Sequence, residues 1–309
     1  MTRESEVLRA IRAQAACQDG VVTSAQLQAA GAEPAHLRRI VRAGRWVPLA
    51  RGSYWVTVAP AGPSLRTRVR AVMLSCGLRV VAVHETAARL YGIEGLPKDD
   101  GILQLAVLTG HSLRSRAGLA VSRLDLPPEA CQVVNGIRLT TPARTCADLL
   151  WRMDRPHAVS MLDSALHKGV LSPGDRSAVA AQLWNRPNAE QARSWLDLAD
   201  PRAESPLETR VRLACLDDGL PRPVLQWRIP DPHEQGDWRI DLGWPAQLVG
   251  LEADGREEHD KPEALHRDRF RQNRLVTLVP GLTLLRVTWA DKYAPGPFLS
   301  RLREALGRR

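Results

Sequence analysis

The chain has 309 residues, 44% of them hydrophobic, which is enough to bury two or three cores, and no apolar run reaches the roughly 18 residues that a membrane span needs. Its 43 Lys+Arg against 34 Asp+Glu give a formal charge of +9, so attraction to polyanions is expected wherever that excess concentrates. The five cysteines, Cys17, Cys76, Cys131, Cys146 and Cys215, are scattered with no Cys-x-x-Cys pair, so neither a disulfide framework nor a structural zinc site is indicated.

The start, "MTRESEVLRAIRA", carries charge throughout and lacks the apolar stretch of a secretory signal, so a cytoplasmic location is expected. Residues 1–60 hold 8 basic against 4 acidic residues, 61–202 hold 18 against 13, and 203–309 hold 17 against 17. Polyanion attraction is therefore expected to be strongest at the front of the chain. Only four of the basic residues are lysine, an arginine bias that base composition also produces, so net charge alone decides little. Breaks rich in Pro, Gly or Asp at "VAPAGPS" (58–64) and "LADPRAESP" (198–206) divide the chain into segments 1–60, 61–202 and 203–309.

In the first segment, Val7, Leu8, Ile11 and Ala15 recur at helical spacing and "DGVV" ends that helix. "TSAQLQAAG" offers Thr23 or Ser24 as N-cap and Gly31 as stop for a short second helix. "EPAHLRRIVRAG" supplies Pro34 in a first turn, Leu37, Ile40 and Val41 as a buried stripe, and Gly44 as terminator, with Arg38, Arg39 and Arg42 flanking the stripe. "RWVPLARGSYWV" then reads as two short strands around Arg51-Gly52, with Arg45 just before them. This order is a winged helix-turn-helix, whose third helix would enter the major groove while the wing lies along the phosphates. Arginine forks suit both tasks, and a winged helix used only for protein contacts is the alternative. Over about 50 residues, "DGVVTSAQLQAAG", "LRRIVRAGRW" and "ARGSYWV" resemble the N-terminal domain of AbiEi-family antitoxins; the resemblance implies DNA binding, commonly autorepression, and a toxin as a candidate partner.

The middle segment alternates helical patterns ("RTRVRAVMLSC", "HETAARLYGI", "CADLLWRM", "AVSMLDSALHKG") with strand-like runs ("ILQLAVL", "GLAVSRLDL", "GIRLTTP"), which predicts an α+β scaffold or interaction domain. "TTPARTCADLL" is similar to the same antitoxin-like chains. His84, opening a helix beside Glu85, reads as a cap or core residue.

The third segment concentrates five carboxylates in nine residues: Glu252, Asp254, Glu257, Glu258 and Asp260. "DWRIDLGWPAQLVGLEADG" reads as two strands joined by a tight turn, and with Ala246-Gln247 at its centre Asp241 lies opposite Glu252, Cβ atoms about 5 Å apart. Alternation adds Asp254 to that face, and three converging carboxylates suit a hard divalent cation. Arg239 falls opposite Asp254 in the same register, so an ordinary cross-strand salt bridge is the competing reading; Glu257, Glu258 and Asp260 can equally be solvated loop residues.

Around this hairpin, "SPLETRVRLACLDDGL" and "PEALHRDRFRQNRLVTL" read as helices and "TLLRVTW" as a strand. With "RIDLGWP", "VGLEADGREEH" and "HRDRFRQNRL", about 105 residues from Glu204 resemble the very-short-patch-repair-like endonuclease domain of the PD-(D/E)XK superfamily. The resemblance implies Asp241 as the principal metal ligand with Glu252 beside it, a catalytic histidine at His259, and Glu208 on the acidic residue of the first helix. It departs from the family in two ways. Asp254 stands where a lysine is usual, which puts water activation in doubt, and the histidine-rich stretch is reduced to His259. Glu208, three residues after Ser205 with Pro206 between, is equally a capping-box residue. Arg267, Arg271 and Arg274 share a helix face suited to a phosphate backbone, although Asp268 and nearby acids could pair with them instead.

The expectation is thus an α+β multidomain protein: a winged helix-turn-helix, a middle α+β domain, and a C-terminal α/β PD-(D/E)XK nuclease-like domain hydrolysing DNA with Mg2+, or Mn2+, at Asp241, Glu252 and Asp254. Two other readings stand beside it: an AbiEi-like antitoxin or transcriptional repressor whose nuclease fold is inactive, and a protein-interaction scaffold. DNA is the expected partner, no membrane is, and oligomeric state is not legible.

Overall fold

The computed structural model describes residues 3–56, 59–77, 79–108, 113–184, 186, 189–232, 237–254, 270–271, 273–291 and 295–307. No described helix is long and apolar enough to cross a membrane. The protein is a multidomain α+β chain dividing into two compact units, Met1–Gly92 with Lys98–Leu149, and Ile93–Pro97 with Leu150–Arg309.

The first unit opens with α1 (Arg3–Ala16), β1 (Val21–Thr23), α2 (Ser24–Ala29), α3 (Pro34–Arg42), β2 (Val47–Ala50) and β3 (Ser53–Trp55). The turn out of α1 uses Asp19 and Gly20, both at positive φ. Thr23 then starts α2 through a reciprocal capping box: its hydroxyl accepts from the Gln26 amide (3.2 Å), and the Gln26 side chain accepts from the Thr23 amide (2.9 Å). Gly44, at φ +68°, stands just past the end of α3. Ile11, Ala15, Val22, Leu27, Ile40 and Trp46 form the core beneath, closed by a sheet of order β1-β3-β2. These are the helix–turn–helix and wing that the caps and apolar stripes predict.

The unit continues with α4 (Leu65–Cys76), β4 (Val80–Ala82), α5 (His84–Leu90), β5 (Leu103–Val107), β6 (Leu119–Ser122), β7 (Cys131–Val134), β8 (Ile137–Thr140) and α6 (Pro142–Leu150). The five strands form one sheet of order β6-β5-β4-β8-β7. One face packs Val80, Ala82, Leu105 and Leu139 against Val69, Val72 and Met73 of α4. The other carries Val81, Val83 and Ala106 beneath Leu108, Leu124, Leu126 and Cys131. Composition suggests a boundary at 60/61, but packing crosses it, because α4 also rests on β1, β2 and β3. Arg66 and Arg70 of α4 each donate to one oxygen of Asp19 (2.6 and 2.8 Å), and both donate to the carbonyl of Asn135 in the β7–β8 turn (3.2 and 2.7 Å). Two arginines thus tie the winged helix to the larger sheet.

The second unit contains α7 (Arg155–His167), α8 (Arg176–Gln182), α9 (Ala189–Leu196), α10 (Pro206–Asp217), β9 (Val224–Pro230), β10 (Asp237–Trp244), β11 (Val249–Asp254), α11 (described over 270–271 and 273–278), β12 (Thr283–Thr288) and α12 (Gly296–Gly307). Its sheet has the order β12-β11-β10-β9, antiparallel except for the parallel pair β11–β12. Leu207, Val211 and Cys215 of α10 pack with Leu242, Leu251, Val287, Phe298 and Leu302 in its main core. Here too packing crosses the expected 202/203 boundary: Asp163 of α7 and Arg212 of α10, each 1% exposed, meet at 2.7 Å. The β10–β11 hairpin has the predicted register, pairing Leu242 with Leu251, Gly243 with Gly250 and Trp244 with Val249. Its turn is longer than expected, a 3-10 turn over Pro245–Gln247 followed by Leu248 at φ 51°. The segment expected only to lead into the hairpin is a full edge strand, β9.

Candidate nucleic-acid interface and carboxylate cluster

On α3, burial of Ile40 with Leu37 and Val41 against the domain core leaves Arg38, Arg39 and Arg42 exposed. Arg45, in the link to β2, and Arg51, in the wing turn, are also exposed. Arg39 lies 3.0 Å from the His36 ring, and among the described residues Arg38, Arg42, Arg45 and Arg51 have no carboxylate partner. The wing is fixed from both sides: the Gly52 carbonyl accepts from the Ser24 amide (2.8 Å) at the start of α2, and the Arg51 carbonyl accepts from the Ser75 hydroxyl (2.5 Å). A rigid wing and an α3 studded with guanidinium groups that lack acidic partners present fixed positive charge, which suits phosphate contacts.

The carboxylates of the second unit are placed differently. Ser205 caps α10 by accepting from the Glu208 amide (3.2 Å), while the Glu208 carboxylate reaches past it to accept from the Glu204 amide and the Gln226 side chain, both at 3.0 Å. Glu208 is buried, and burial, with the nearby charge of Asp241, pushes its pKa up to about 6. Gln226 holds this contact at φ 51°, a strained backbone for an L residue inside a strand. Asp241 uses one oxygen to accept from the Ala253 amide (2.9 Å), and burial raises its pKa against the lowering charge of Arg271.

Glu252 is 3% exposed and faces two guanidinium groups, Arg271 at 2.8 Å and Arg286 at 3.5 Å. The Arg271 approach is a contact of charges without hydrogen-bond alignment, so that oxygen has no hydrogen bond. Burial still raises the Glu252 pKa, the two arginines opposing it. Arg286 also stands 3.8 Å from Asp254. The competing reading of an Arg239–Asp254 salt bridge is not what these residues form: Arg239 pairs with Glu204 (2.6 Å), and the guanidinium beside Asp254 is that of Arg286. Sequence reasoning misses Arg286; its one signal is a charge inside the apolar run "TLLRVTW", which the parallel register sets directly beside Glu252.

As placed, these side chains do not fit a divalent cation. A hard ion needs several converging oxygens, yet Glu252 is already neutralised by guanidinium groups that would repel an ion, and one oxygen of Asp241 is held by backbone. Asp254 lies close enough to Asp241 and Glu252 to add to the burial that raises both their pKa values, but among the described residues no three His, Cys, Asp or Glu side chains are grouped to hold a metal. His259 and Arg267, with Glu257, Glu258 and Asp260, lie outside the described residues. Arg271 and Arg274, expected on a phosphate backbone, have internal partners: Arg271 pairs with Glu252 and donates to the Arg239 carbonyl (2.5 Å), and Arg274 engages both oxygens of buried Asp231.

Comparison with known proteins matches residues 9–57 to the family model described as "Transcriptional regulator, AbiEi antitoxin" and residues 80–198 to "AbiEi antitoxin C-terminal domain". The uncharacterized protein Rv2248 of Mycobacterium tuberculosis (strain ATCC 25618 / H37Rv) is 32% identical over 250 residues, 80% of this chain and 88% of its own length. The chain belongs to one family with that protein. The uncharacterized protein MT2308 of Mycobacterium tuberculosis (strain CDC 1551 / Oshkosh) gives the same figures. This chain thus carries an AbiEi-type helix-turn-helix domain followed by an AbiEi-type C-terminal domain. These matches lend no support to the nuclease resemblance of residues 203–309. The crystal structure of the RV2827C protein from Mycobacterium tuberculosis aligns over 75% of this chain and 89% of that one at 14% identity, with a TM-score of 0.43, too loose a likeness to carry an argument.

Proposed function

We infer that this chain is a DNA-binding transcriptional regulator of the AbiEi antitoxin type, reading duplex DNA with α3 in the major groove and the β2–β3 wing on the phosphates. The observation that carries this reading is the set of exposed arginines on α3 and the wing, four of them without an acidic partner among the described residues. The helix N-terminal half and Arg38 would face base edges, with Arg42, Arg45 and Arg51 on the backbone. The antitoxin-type domains support autoregulation and a toxin as protein partner, and a cytoplasmic site of action goes with that reading. We assign no hydrolytic role to the C-terminal four-stranded module, because arginines occupy its buried carboxylates.

The experiment is a fluorescence-anisotropy titration of the purified chain on a duplex from upstream of its own reading frame and on a scrambled duplex of equal length. The reading requires tighter binding to the first, and equal affinity for both would reject it as a regulator. In parallel, supercoiled plasmid incubated with the protein and Mg2+ or Mn2+ should remain uncut, as in EDTA; metal-dependent nicking that disappears in Asp241→Asn would restore the nuclease.

A further inference from the structure

The two edges of the five-stranded sheet are finished differently. At the β6 edge the chain folds back over itself: Arg116 and Leu119 exchange backbone hydrogen bonds at 2.9 Å, and the Val121 amide donates to the Ser115 hydroxyl (2.9 Å). At the other edge, β7 pairs with β8 alone among the described residues. Its sequence, Cys-Gln-Val-Val, contains no charge, proline or glycine, the usual devices that keep an edge from pairing. Val133 is 61% exposed and Val134 37%.

Beside this edge the apolar layer of Val81, Val83, Ala106, Leu108, Leu126 and Cys131 stops in an open groove of about 220 Å³, with Val133 on its rim and Arg138 at its end. The edge is held stiffly, because Arg70 donates to the carbonyls of Asn135 and Gly136 (2.7 and 2.5 Å) in the turn that follows.

We propose that β7 pairs with β7 of a second copy of this chain, antiparallel about a two-fold axis through Val133, so that two five-stranded sheets become one of ten strands. A copy of itself fits this edge for a geometric reason. A two-fold axis perpendicular to a sheet keeps each face on its own side, so the open apolar layer of one copy continues into the same layer of the other. The pairing sets Val133 opposite Val133, a favourable cross-strand contact, and brings no like charges together within the strand. Since Arg66 and Arg70 fasten the β7–β8 turn and the winged helix to the same helix, α4, two-fold pairing would also fix two winged helices on one frame, as recognition of a two-fold operator needs.

The test is solution mass by size exclusion with light scattering over a range of protein concentrations. Wild type should reach twice the 34.1 kDa chain mass. Val133→Asp, which places two carboxylates face to face at the axis, should raise the dimer dissociation constant at least about tenfold with an unchanged circular-dichroism spectrum. A wild type that stays monomeric at high micromolar concentration overturns the proposal, as does a folded Val133→Asp protein that dimerises like wild type. If Val133→Asp does not fold, Val133→Cys in a Cys17→Ser, Cys131→Ser background decides the matter: mild oxidation should yield a covalent dimer, because directly opposed Cβ atoms lie near disulfide range. No covalent dimer would end the proposal.

Discussion

Glu208 is a buried acid whose environment favours its neutral form, and that has a measurable consequence. Its folded pKa, about 6, lies above the unfolded value near 4.5, so between those values the folded state binds more protons than the unfolded one. Stability from this group is therefore full below about pH 4.5 and is lost as pH rises through 6. Glu208→Gln keeps an acceptor for the Glu204 amide and removes the charge. It should stabilise the protein at pH 7 by on the order of 1–2 kcal/mol and change little at pH 4.5, as urea melts at the two pH values would show. A variant less stable than wild type at pH 7 would mean that the ionised carboxylate is needed by its neighbours. Burial raises the Asp163 pKa as well, against the lowering charge of Arg212, but here the carboxylate holds its neighbours in place. Its carboxylate accepts from the Asp200 amide, the Thr209 hydroxyl and Arg212, all at 2.7 Å. Asp163→Ala leaves Arg212 buried without its counter-charge, and should cost about 3–5 kcal/mol in the same assay. Neither fate can be read from the residue type: Glu208 is legible as a cap because Ser205 and Pro206 are adjacent in sequence, whereas the pairing of Asp163 with Arg212 spans 49 positions.

Elements are legible in proportion to how local their causes are. The winged helix can be placed from sequence because Thr23, Pro34, Gly44 and the Leu37–Ile40–Val41 stripe each act within a turn or two. β4, β7 and β9 cannot, since strands of only three or four residues, as β4 and β7 are, carry no resolvable period and β9 is defined by pairing with β10. In the hairpin, alternation fixes the register of β10 and β11, but it does not show that β12 brings Arg286 beside Glu252. Tight packing across these strands gives a prediction of its own. A Cβ on Gly243 would fall 2.5 Å from the Trp227 ring. Gly243→Ala should therefore displace that ring and destabilise the sheet by about 1–3 kcal/mol, visible as a lower urea midpoint with a changed tryptophan emission. An unchanged midpoint would mean that β9 lies farther from β10 than the register indicates.

At the scale of the whole molecule, the excess of arginine and the placement of acids separate binding from burial. On α3 and the wing, Arg38, Arg42, Arg45 and Arg51 stand in solvent with no carboxylate partner among the described residues, while in the last third equal numbers of the two signs largely satisfy one another, as Arg271, Arg274 and Arg286 do. Net charge hints at this division; only the three-dimensional pairing explains why basic side chains of the same type would attract DNA at one end and lock a sheet at the other. The central claim, that α3 is the DNA-reading helix, is tested most directly by the salt dependence of duplex binding in wild type and in the Arg38→Ala, Arg39→Ala, Arg42→Ala triple variant. Every phosphate that an arginine no longer neutralises makes the log–log slope shallower by about 0.9, so the account predicts weaker binding and a slope shallower by up to about 2.7 for three such phosphates, with the fold intact. Identical affinity and slope in the two proteins would contradict it.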